Sequence, residues 1–162
     1  SNEPYICHPI EVMMITARMT NDNEVIEAAV LHDTLEDTDT KEEEIRDRFG
    51  DRVLELVMSE SEDKRSGINK TETWKVRKQE TILHIKTAPR DSKLILLADK
   101  LSNLRATARE LDGNNKNVWA RFNVRDPKEH KWYYGELLNL LGEFRDTPQY
   151  NEYKILMKKI FE

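Results

Sequence analysis

Residues 28–37 read AAVLHDTLED, an apolar helical segment that runs directly into four ionisable side chains. On a helix, His32 and Glu36 lie four residues apart, as do Asp33 and Asp37, so the four side chains cover neighbouring faces. Three carboxylates this close together repel one another unless a cation or a shared proton compensates their charge. The stretch therefore predicts a helix that ends in a charged functional site.

Apolar residues recur at helical spacing along the rest of the chain, with only 5 Gly and 5 Pro and no sustained period-two alternation. We therefore expect an all-α fold, with one domain over residues 1–162. The first predicted helix runs from Pro9 to about Thr20, and its apolar side comprises Ile10, Met13, Met14, Ala17 and Met19. Further helices are expected at about 22–33, 40–50, 51–57, 74–87, 91–111, 126–141 and from 148 onward, with a polar loop at 59–73.

A second polar anomaly lies in the most apolar predicted helix, where residues 94–104 read LILLADKLSNL. Asp99 stands among leucines and is expected to be buried, and Asn103 follows one turn later on the same side of the helix. A buried carboxylate requires a partner. For a lone buried aspartate an arginine or a neighbouring helix end is the commoner partner, and a metal ion is the alternative.

His8 lies in the segment PYICHP, residues 4–9, at the start of the first predicted helix. Taken alone, a histidine there is typical of a helix cap or a surface group. Together with His32, Asp33 and Asp99 it forms a set of two nitrogen and two oxygen donors with a charge of −2. This set suits Mn²⁺, Fe²⁺ or Zn²⁺ better than the all-oxygen cage that Ca²⁺ prefers.

Composition limits the class of protein. The chain has 162 residues, of which 38% are hydrophobic and 35% charged, enough for one compact core. It has no apolar run of the roughly 20 residues that span a membrane and no secretion signal at its start, so we expect no membrane partner. The single cysteine, Cys7, has no disulfide partner within the chain, which favours a cytoplasmic location.

Charge is segregated along the chain. The net charge of −5 argues against a general nucleic-acid binder, so we expect no nucleic-acid partner. Residues 1–63 carry 18 acidic and 5 basic side chains, whereas residues 64–109 carry 4 acidic and 12 basic ones. An acidic third beside a basic third suggests a site that takes a cation and a phosphorylated small molecule together. Ordinary solvated helix faces explain the same distribution equally well.

The order His8, His32-Asp33, Asp99 resembles the signature of the HD-domain metal-dependent phosphohydrolases. The surrounding words YICHP, HDTLEDT and LADKLSNLR, which begin at residues 5, 32 and 97, are similar to the hydrolase domain of RelA/SpoT-type alarmone enzymes, above all the stand-alone small alarmone hydrolases. The similarity extends in order from about residue 4 to about residue 134. The family has an arginine one helix before the first word, so we expect a further N-terminal helix upstream of this chain.

The resemblance implies a role for each matched residue. His8, His32, Asp33 and Asp99 would ligate one Mn²⁺. Glu36 and Asp37 would position and deprotonate the attacking water. The nucleotide and its phosphates would be bound by four further residues, namely Asn103, Tyr133, Lys64 and Arg77.

The reaction implied by the resemblance is removal of the 3′-pyrophosphate from guanosine 3′,5′-bis(diphosphate), ppGpp, or from pppGpp. Two other interpretations remain open at this stage. The same site could act on another phosphorylated nucleotide or on a dinucleotide cofactor. The chain could also be a non-catalytic alarmone-binding module, although such a module has no need of the water-activating pair Glu36 and Asp37. The sequence does not indicate the oligomeric state.

Overall fold

A computed structural model describes residues 3–61, 69–113 and 118–162. These residues form helices and no strand, which confirms the predicted all-α class. The helices are α1 (Cys7–Ala17), α2 (Asn23–Leu31), α3 (Thr34–Asp37), α4 (Glu42–Phe49), α5 (Asp51–Glu60), α6 (Lys70–Thr87), α7 (Arg90–Asp112), α8 (Pro127–Leu140) and α9 (Pro148–Phe161). Two 3₁₀ helices occur at Val118–Arg121 and Gly142–Phe144. None of the described helices combines the length and the apolar character needed to cross a membrane.

The described residues form two compact units. The first unit contains residues 3–61 and 88–102, and so holds α1 to α5 and the first half of α7. The second unit contains residues 69–87, 103–113 and 118–162, and so holds α6, the second half of α7, α8 and α9. All four predicted metal ligands belong to the first unit.

The core of the first unit is built by α1 packing on α2, α2 on α5 and α4 on α5. Small and branched side chains allow these helices to approach closely. The fully buried apolar positions are Val12, Val25, Ala28, Ala29, Val53, Val57, Leu94, Ile95, Leu97, Ala98 and Leu101. These buried side chains surround the end of α2, where His32 lies, and the part of α7 that carries Asp99.

Arg52 on α5 holds three helices of the first unit in register. Its guanidinium donates to both carboxylate oxygens of Asp22, at 3.1 and 2.7 Å, and to Glu24 Oε2 at 2.6 Å. It also donates to Asp91 Oδ2, at the start of α7, at 3.0 Å. Asp22 in turn caps α2 by accepting from the backbone N–H of Glu24 at 3.1 Å. One arginine thus ties the start of α2 and the start of α7 to α5.

The apolar side predicted for the first helix is wrong. Ile10 and Met14 are 42% and 49% exposed, whereas Pro9, Val12, Ile15 and Thr16 are buried. Helix α1 also ends at Ala17, three residues before the predicted end. Nearly every position of α1 is apolar, so its hydrophobic pattern does not determine which face meets α2.

Two predicted boundaries are also shifted. The helix predicted from about residue 40 begins at Glu42 as α4. The backbone N–H of Lys41, which precedes it, donates to Glu44 Oε1 at 3.2 Å. Gly50 joins α4 to α5 with φ 89°, a conformation that favours glycine. Helix α6 begins at Lys70, not Trp74, so the predicted loop at 59–73 is shorter at both ends. Most of that loop, and the turn at 114–117, lie outside the described residues.

The second unit has an aromatic core. Tyr153 on α9 is fully buried, and its hydroxyl donates to the carbonyl of Tyr134 on α8 at 2.9 Å. His130, also buried, donates from Nε2 to the carbonyl of Val124 at 2.7 Å. Helix α8 starts as predicted, since the Asp126 carboxylate accepts from the N–H of Lys128 at 2.9 Å ahead of a first-turn proline.

Candidate metal centre

The four predicted ligands converge in the first unit. His8 comes from α1, His32 and Asp33 from the connection between α2 and α3, and Asp99 from α7. His8 Nε2 lies 3.3 Å from Asp99 Oδ1 and 3.8 Å from Asp33 Oδ2. His32 Nε2 lies 3.2 Å from Asp33 Oδ2 and 3.9 Å from Asp99 Oδ1. Two ring nitrogens and one oxygen of each carboxylate therefore face one another.

Two consecutive candidate ligands, His32 and Asp33, lie between α2 and α3. The sequence predicts a helix at about 22–33, but α2 ends at Leu31, and a separate short helix, α3, begins at Thr34. Asp33 has φ −94° and ψ −1°, at the edge of the helical region. On a continuous helix, successive side chains diverge by about 100°. His32 and Asp33 lie at this interruption between α2 and α3, and both contribute to the cluster.

A hydrogen bond orients the imidazole ring of His32 with Nε2 toward the cluster. His32 Nδ1 lies 2.8 Å from the carbonyl oxygen of Ala29, which can only accept, so Nδ1 carries a hydrogen. Nε2 of the neutral ring then offers a lone pair. That atom is shut off from solvent and has no hydrogen-bond partner. An orphaned buried nitrogen beside two carboxylates is the arrangement that a metal ion satisfies.

The donor set fits a divalent transition metal. One ligand atom each from His8, His32 and Asp99 lies within 4.8 Å of the others. Asp33 supplies a fourth donor at its Oδ2 atom, close to both histidines. Imidazole nitrogens with carboxylate oxygens are typical ligands of Mn²⁺, Fe²⁺ and Zn²⁺.

Asp99 is ionised although it is only 7% exposed. Burial by itself raises the pKa of a carboxyl, but the ammonium of Lys100 and the two histidines hold the pKa of Asp99 well below its usual range. Lys100 Nζ donates to Asp99 Oδ2 at 2.6 Å, which leaves Oδ1 for the histidines. Oδ2 of Asp99 therefore accepts from Lys100, and Oδ1 faces the two histidines.

His32 takes up a proton readily in the metal-free protein. Burial lowers the pKa of this imidazole, but the carboxylates of Asp33 and Asp99 outweigh it and raise the pKa to about 9. The same contact with His32 lowers the pKa of Asp33 against the effect of burial. A proton can thus take the place of a cation between these carboxylates, so metal and proton compete for one site.

Glu36 and Asp37 lie on α3, after the predicted ligands His32 and Asp33. The hydroxyl of Tyr5 donates to Asp33 Oδ2 at 2.5 Å and lies 3.2 Å from Asp37 Oδ2. Burial and the two carboxylates raise the pKa of Tyr5, which keeps its hydroxyl protonated and available as a donor. Tyr5 thus joins Asp37 to a predicted metal ligand. All three residues lie in the matched sequence words, but the sequence did not predict this contact.

Glu60 is a further carboxyl that sequence reasoning missed. It was expected in the polar loop, but it is the last residue of α5, and its Oε1 is shut off from solvent with no hydrogen-bond partner. Burial raises the pKa of Glu60 to about 8, and the nearby carboxylate of Asp99 adds to the rise. Without a metal, this side chain is protonated at neutral pH.

The predicted nucleotide contacts lie outside the first unit. Asn103, Arg77 and Tyr133 belong to the second unit, and Lys64 lies outside the described residues. Arg77 donates from Nε to Thr73 Oγ1 at 3.4 Å. The ring of Tyr133 is buried at 3% exposure, and Lys78 Nζ stands 4.9 Å from its centroid. Their roles toward a nucleotide remain predictions.

The chain is similar to a known family and to proteins of known name. Residues 1–127 match a family model described as HD domain. The zebrafish (Danio rerio) guanosine-3′,5′-bis(diphosphate) 3′-pyrophosphohydrolase MESH1 is 43% identical over 104 residues, which cover 63% of this chain and 54% of that protein. The chain thus spans about half the length of this relative.

Two solved structures are similar over nearly the whole chain. The structure of lmo0812 from Listeria monocytogenes matches with a TM-score of 0.83 and 35% identity, covering 100% of both chains. A metazoan orthologue of SpoT, described as hydrolysing ppGpp, matches with a TM-score of 0.70 and 30% identity, covering 98% of this chain and 80% of the other.

Proposed function

Because this chain belongs to the HD domain family, we propose that it is a metal-dependent (p)ppGpp 3′-pyrophosphohydrolase. The reaction would convert ppGpp to GDP, or pppGpp to GTP, and release pyrophosphate. The observation that carries the proposal is the convergence of His8, His32, Asp33 and Asp99 on one point, in a chain related to proteins named for this activity. We place the reaction in the cytoplasm, on the support of the lone cysteine.

We propose Mn²⁺ as the metal, held by His8 Nε2, His32 Nε2, Asp33 Oδ2 and Asp99 Oδ1. Mixed imidazole and carboxylate donors with a charge of −2 support a divalent ion of this kind. Such an ion lowers the pKa of a bound water and polarises a phosphoryl oxygen.

Glu36 and Asp37 would supply the general base. Both lie on α3, within four residues of Asp33, and Tyr5 connects Asp37 with Asp33. The base accepts a proton as the water oxygen bonds to the phosphorus next to the ribose 3′ oxygen. The bond between that phosphorus and the 3′ oxygen breaks, and the 3′ oxygen takes up a proton to become a hydroxyl. A positioned general base contributes about 100- to 10,000-fold to such a rate.

Substrate binding is assigned to the basic part of the chain. Residues 64–109 carry 12 basic side chains, among them Lys64 and Arg77, which would bind phosphates. Asn103 and Tyr133 would contact the nucleoside. An aromatic ring and an amide are groups that recognise a base by stacking and by hydrogen bonding.

The test is pyrophosphate release from ppGpp by the purified protein, with Mn²⁺ and then with excess chelator, beside a panel of other nucleotides and phosphorylated dinucleotides. We expect release from ppGpp that requires the metal. Hydrolysis of a different nucleotide alone would retain the HD-type site and refute the alarmone substrate. Mn²⁺-dependent ppGpp binding without hydrolysis would instead support a binding module.

Variants of the base sharpen this test. Glu36→Gln and Asp37→Asn should each lower turnover by about 100- to 10,000-fold while Mn²⁺ affinity stays within a few fold. Asp39→Asn is the matched control, because Asp39 is exposed two residues beyond the pair. Strong loss of Mn²⁺ binding in either variant would show that the carboxylate is a ligand and that its assignment as base is wrong.

A further inference from the structure

A chain of two side chains leads away from His8 on the side opposite the cluster. His8 Nδ1 lies 3.0 Å from Ser102 Oγ, and Ser102 Oγ donates to Glu11 Oε2 at 2.7 Å. Ser102 is 1% exposed, and Glu11 is half-buried one turn beyond His8 on α1. All three residues belong to the first unit.

The direction of each hydrogen bond follows from counting protons. A carboxylate accepts hydrogen bonds and donates none, so the contact with Glu11 uses the single hydrogen of the Ser102 hydroxyl. The Ser102 oxygen can then offer only a lone pair to His8, and His8 Nδ1 must carry the hydrogen. In the neutral ring this leaves Nε2 bare, and Nε2 is the atom 3.3 Å from Asp99 Oδ1.

The two histidines are therefore oriented by different means. His32 donates from Nδ1 to a backbone carbonyl, that of Ala29, which no substitution of that residue removes. His8 depends on two side chains, and the second of them carries a negative charge. A carboxylate that accepts through a hydroxyl from an imidazole raises the basicity of the opposite ring nitrogen, and outer partners of this kind are worth about 10- to 100-fold in metal affinity.

We propose that Glu11 and Ser102 are positioning residues of the metal site, which hold His8 in the tautomer that binds metal and strengthen its bond to the ion. This inference rests on the proposed function only in taking His8 as a metal ligand. It adds a charged group outside the set of four ligands and assigns a purpose to a glutamate and a serine that do not touch the ion.

The first test is calorimetric titration of the metal-free full chain with Mn²⁺. Ser102→Ala should bind Mn²⁺ about 10- to 100-fold more weakly than the wild type. Glu11→Gln, which keeps an accepting oxygen and loses the charge, should weaken binding less than Ser102→Ala does. Ser92→Ala is the matched control, because Ser92 is also 1% exposed and lies on the same helix. Binding by Ser102→Ala and Glu11→Gln within twofold of the control would overturn the proposal.

The second test reads the ring of His8 directly and needs no metal. Long-range proton–nitrogen NMR correlations of the metal-free protein should place the hydrogen of His8 on Nδ1 in the wild type and in Ser92→Ala. In Ser102→Ala the population with the hydrogen on Nε2 should rise, because the acceptor that selects the tautomer is gone. A wild-type ring with its only hydrogen on Nε2, or an unchanged ring in Ser102→Ala, would overturn the proposal.

The two tests separate this inference from the proposed function. A wild type that binds Mn²⁺ but does not hydrolyse ppGpp refutes the proposed substrate. The roles of Ser102 and Glu11 would then still be tested by the Mn²⁺ affinities of their variants. A wild type that binds no Mn²⁺ refutes the metal-dependent function and the effect on affinity together, and the NMR measurement still decides whether Ser102 selects the tautomer.

Discussion

Replacing Glu60 by Gln should stabilise the metal-free protein, and the gain should grow with pH. Burial raises the pKa of this carboxyl from its ordinary value of 4.5 to about 8 in the folded protein. An acid whose pKa rises on folding contributes its full stability below the unfolded pKa and loses it as the pH rises to the folded value. The cost of Glu60 is therefore absent near pH 4.5, grows up to about pH 8 and is constant above.

The magnitude follows from the size of the shift. At pH 7, which is about 2.5 pH units above the ordinary pKa, the carboxyl is ionised in the unfolded chain and protonated in the folded protein. Each of these units is worth about 1.36 kcal/mol. Glu60→Gln, which is neutral at every pH and similar in shape, should raise the free energy of unfolding by up to about 3 kcal/mol at pH 7. At pH 5 the gain should fall below about 1 kcal/mol.

The assay is urea denaturation with excess chelator at pH 5, 6, 7 and 8, comparing Glu60→Gln with the wild type at each pH. The raised pKa of His32 also reduces stability as the pH rises, but it does so in both proteins and cancels in the difference. Glu55→Gln is the control, since Glu55 is exposed on the same helix. A difference between Glu60→Gln and the wild type that is constant from pH 5 to 8 would refute the reasoning.

Three further predictions concern the metal site. Asp99→Asn removes the buried charge that faces both histidines and should weaken Mn²⁺ binding by more than about 100-fold, measured by calorimetry, because even outer partners are worth up to about that much. Since His32 has a pKa of about 9 without metal, Mn²⁺ must displace its proton, so affinity should rise about tenfold from pH 7 to pH 8, and calorimetry in buffers of different ionisation enthalpy should detect the released proton. Tyr5→Phe, which removes the donor to Asp33 and Asp37, should lower kcat for pyrophosphate release about 10- to 100-fold with little change in KM; an unchanged kcat would remove Tyr5 from the mechanism.

The sequence predicted the start of a helix correctly where a capping residue and a first-turn proline mark it. Asp126 and Pro127 start α8 as expected, because a cap and a first-turn proline act within a few residues. The inward face of α1 was not predictable in the same way. Its apolar residues surround the helix, and the choice of Val12 and Ile15 over Ile10 and Met14 depends on contact with α2, which sequence spacing does not contain.

The site shows the same division. The resemblance to a known family identified His8, His32, Asp33 and Asp99, and the structure brings them together. The end of α2 at Leu31 and the short helix α3 that begins at Thr34 were not predicted, because nothing in the word HDTLED requires them. The contact of His8 with Ser102 joins residues 94 positions apart, and no local pattern predicts such a pair.

That separation along the chain has a consequence for the order of folding. The donors come from α1, from the end of α2 and from α7, so the site cannot exist until the two ends of the first unit have met and a long loop has closed. Metal contacts should therefore be absent from the folding transition state and act only after it. Added Mn²⁺ should leave the refolding rate almost unchanged and slow unfolding, because the ion stabilises the folded state and not the folding transition state.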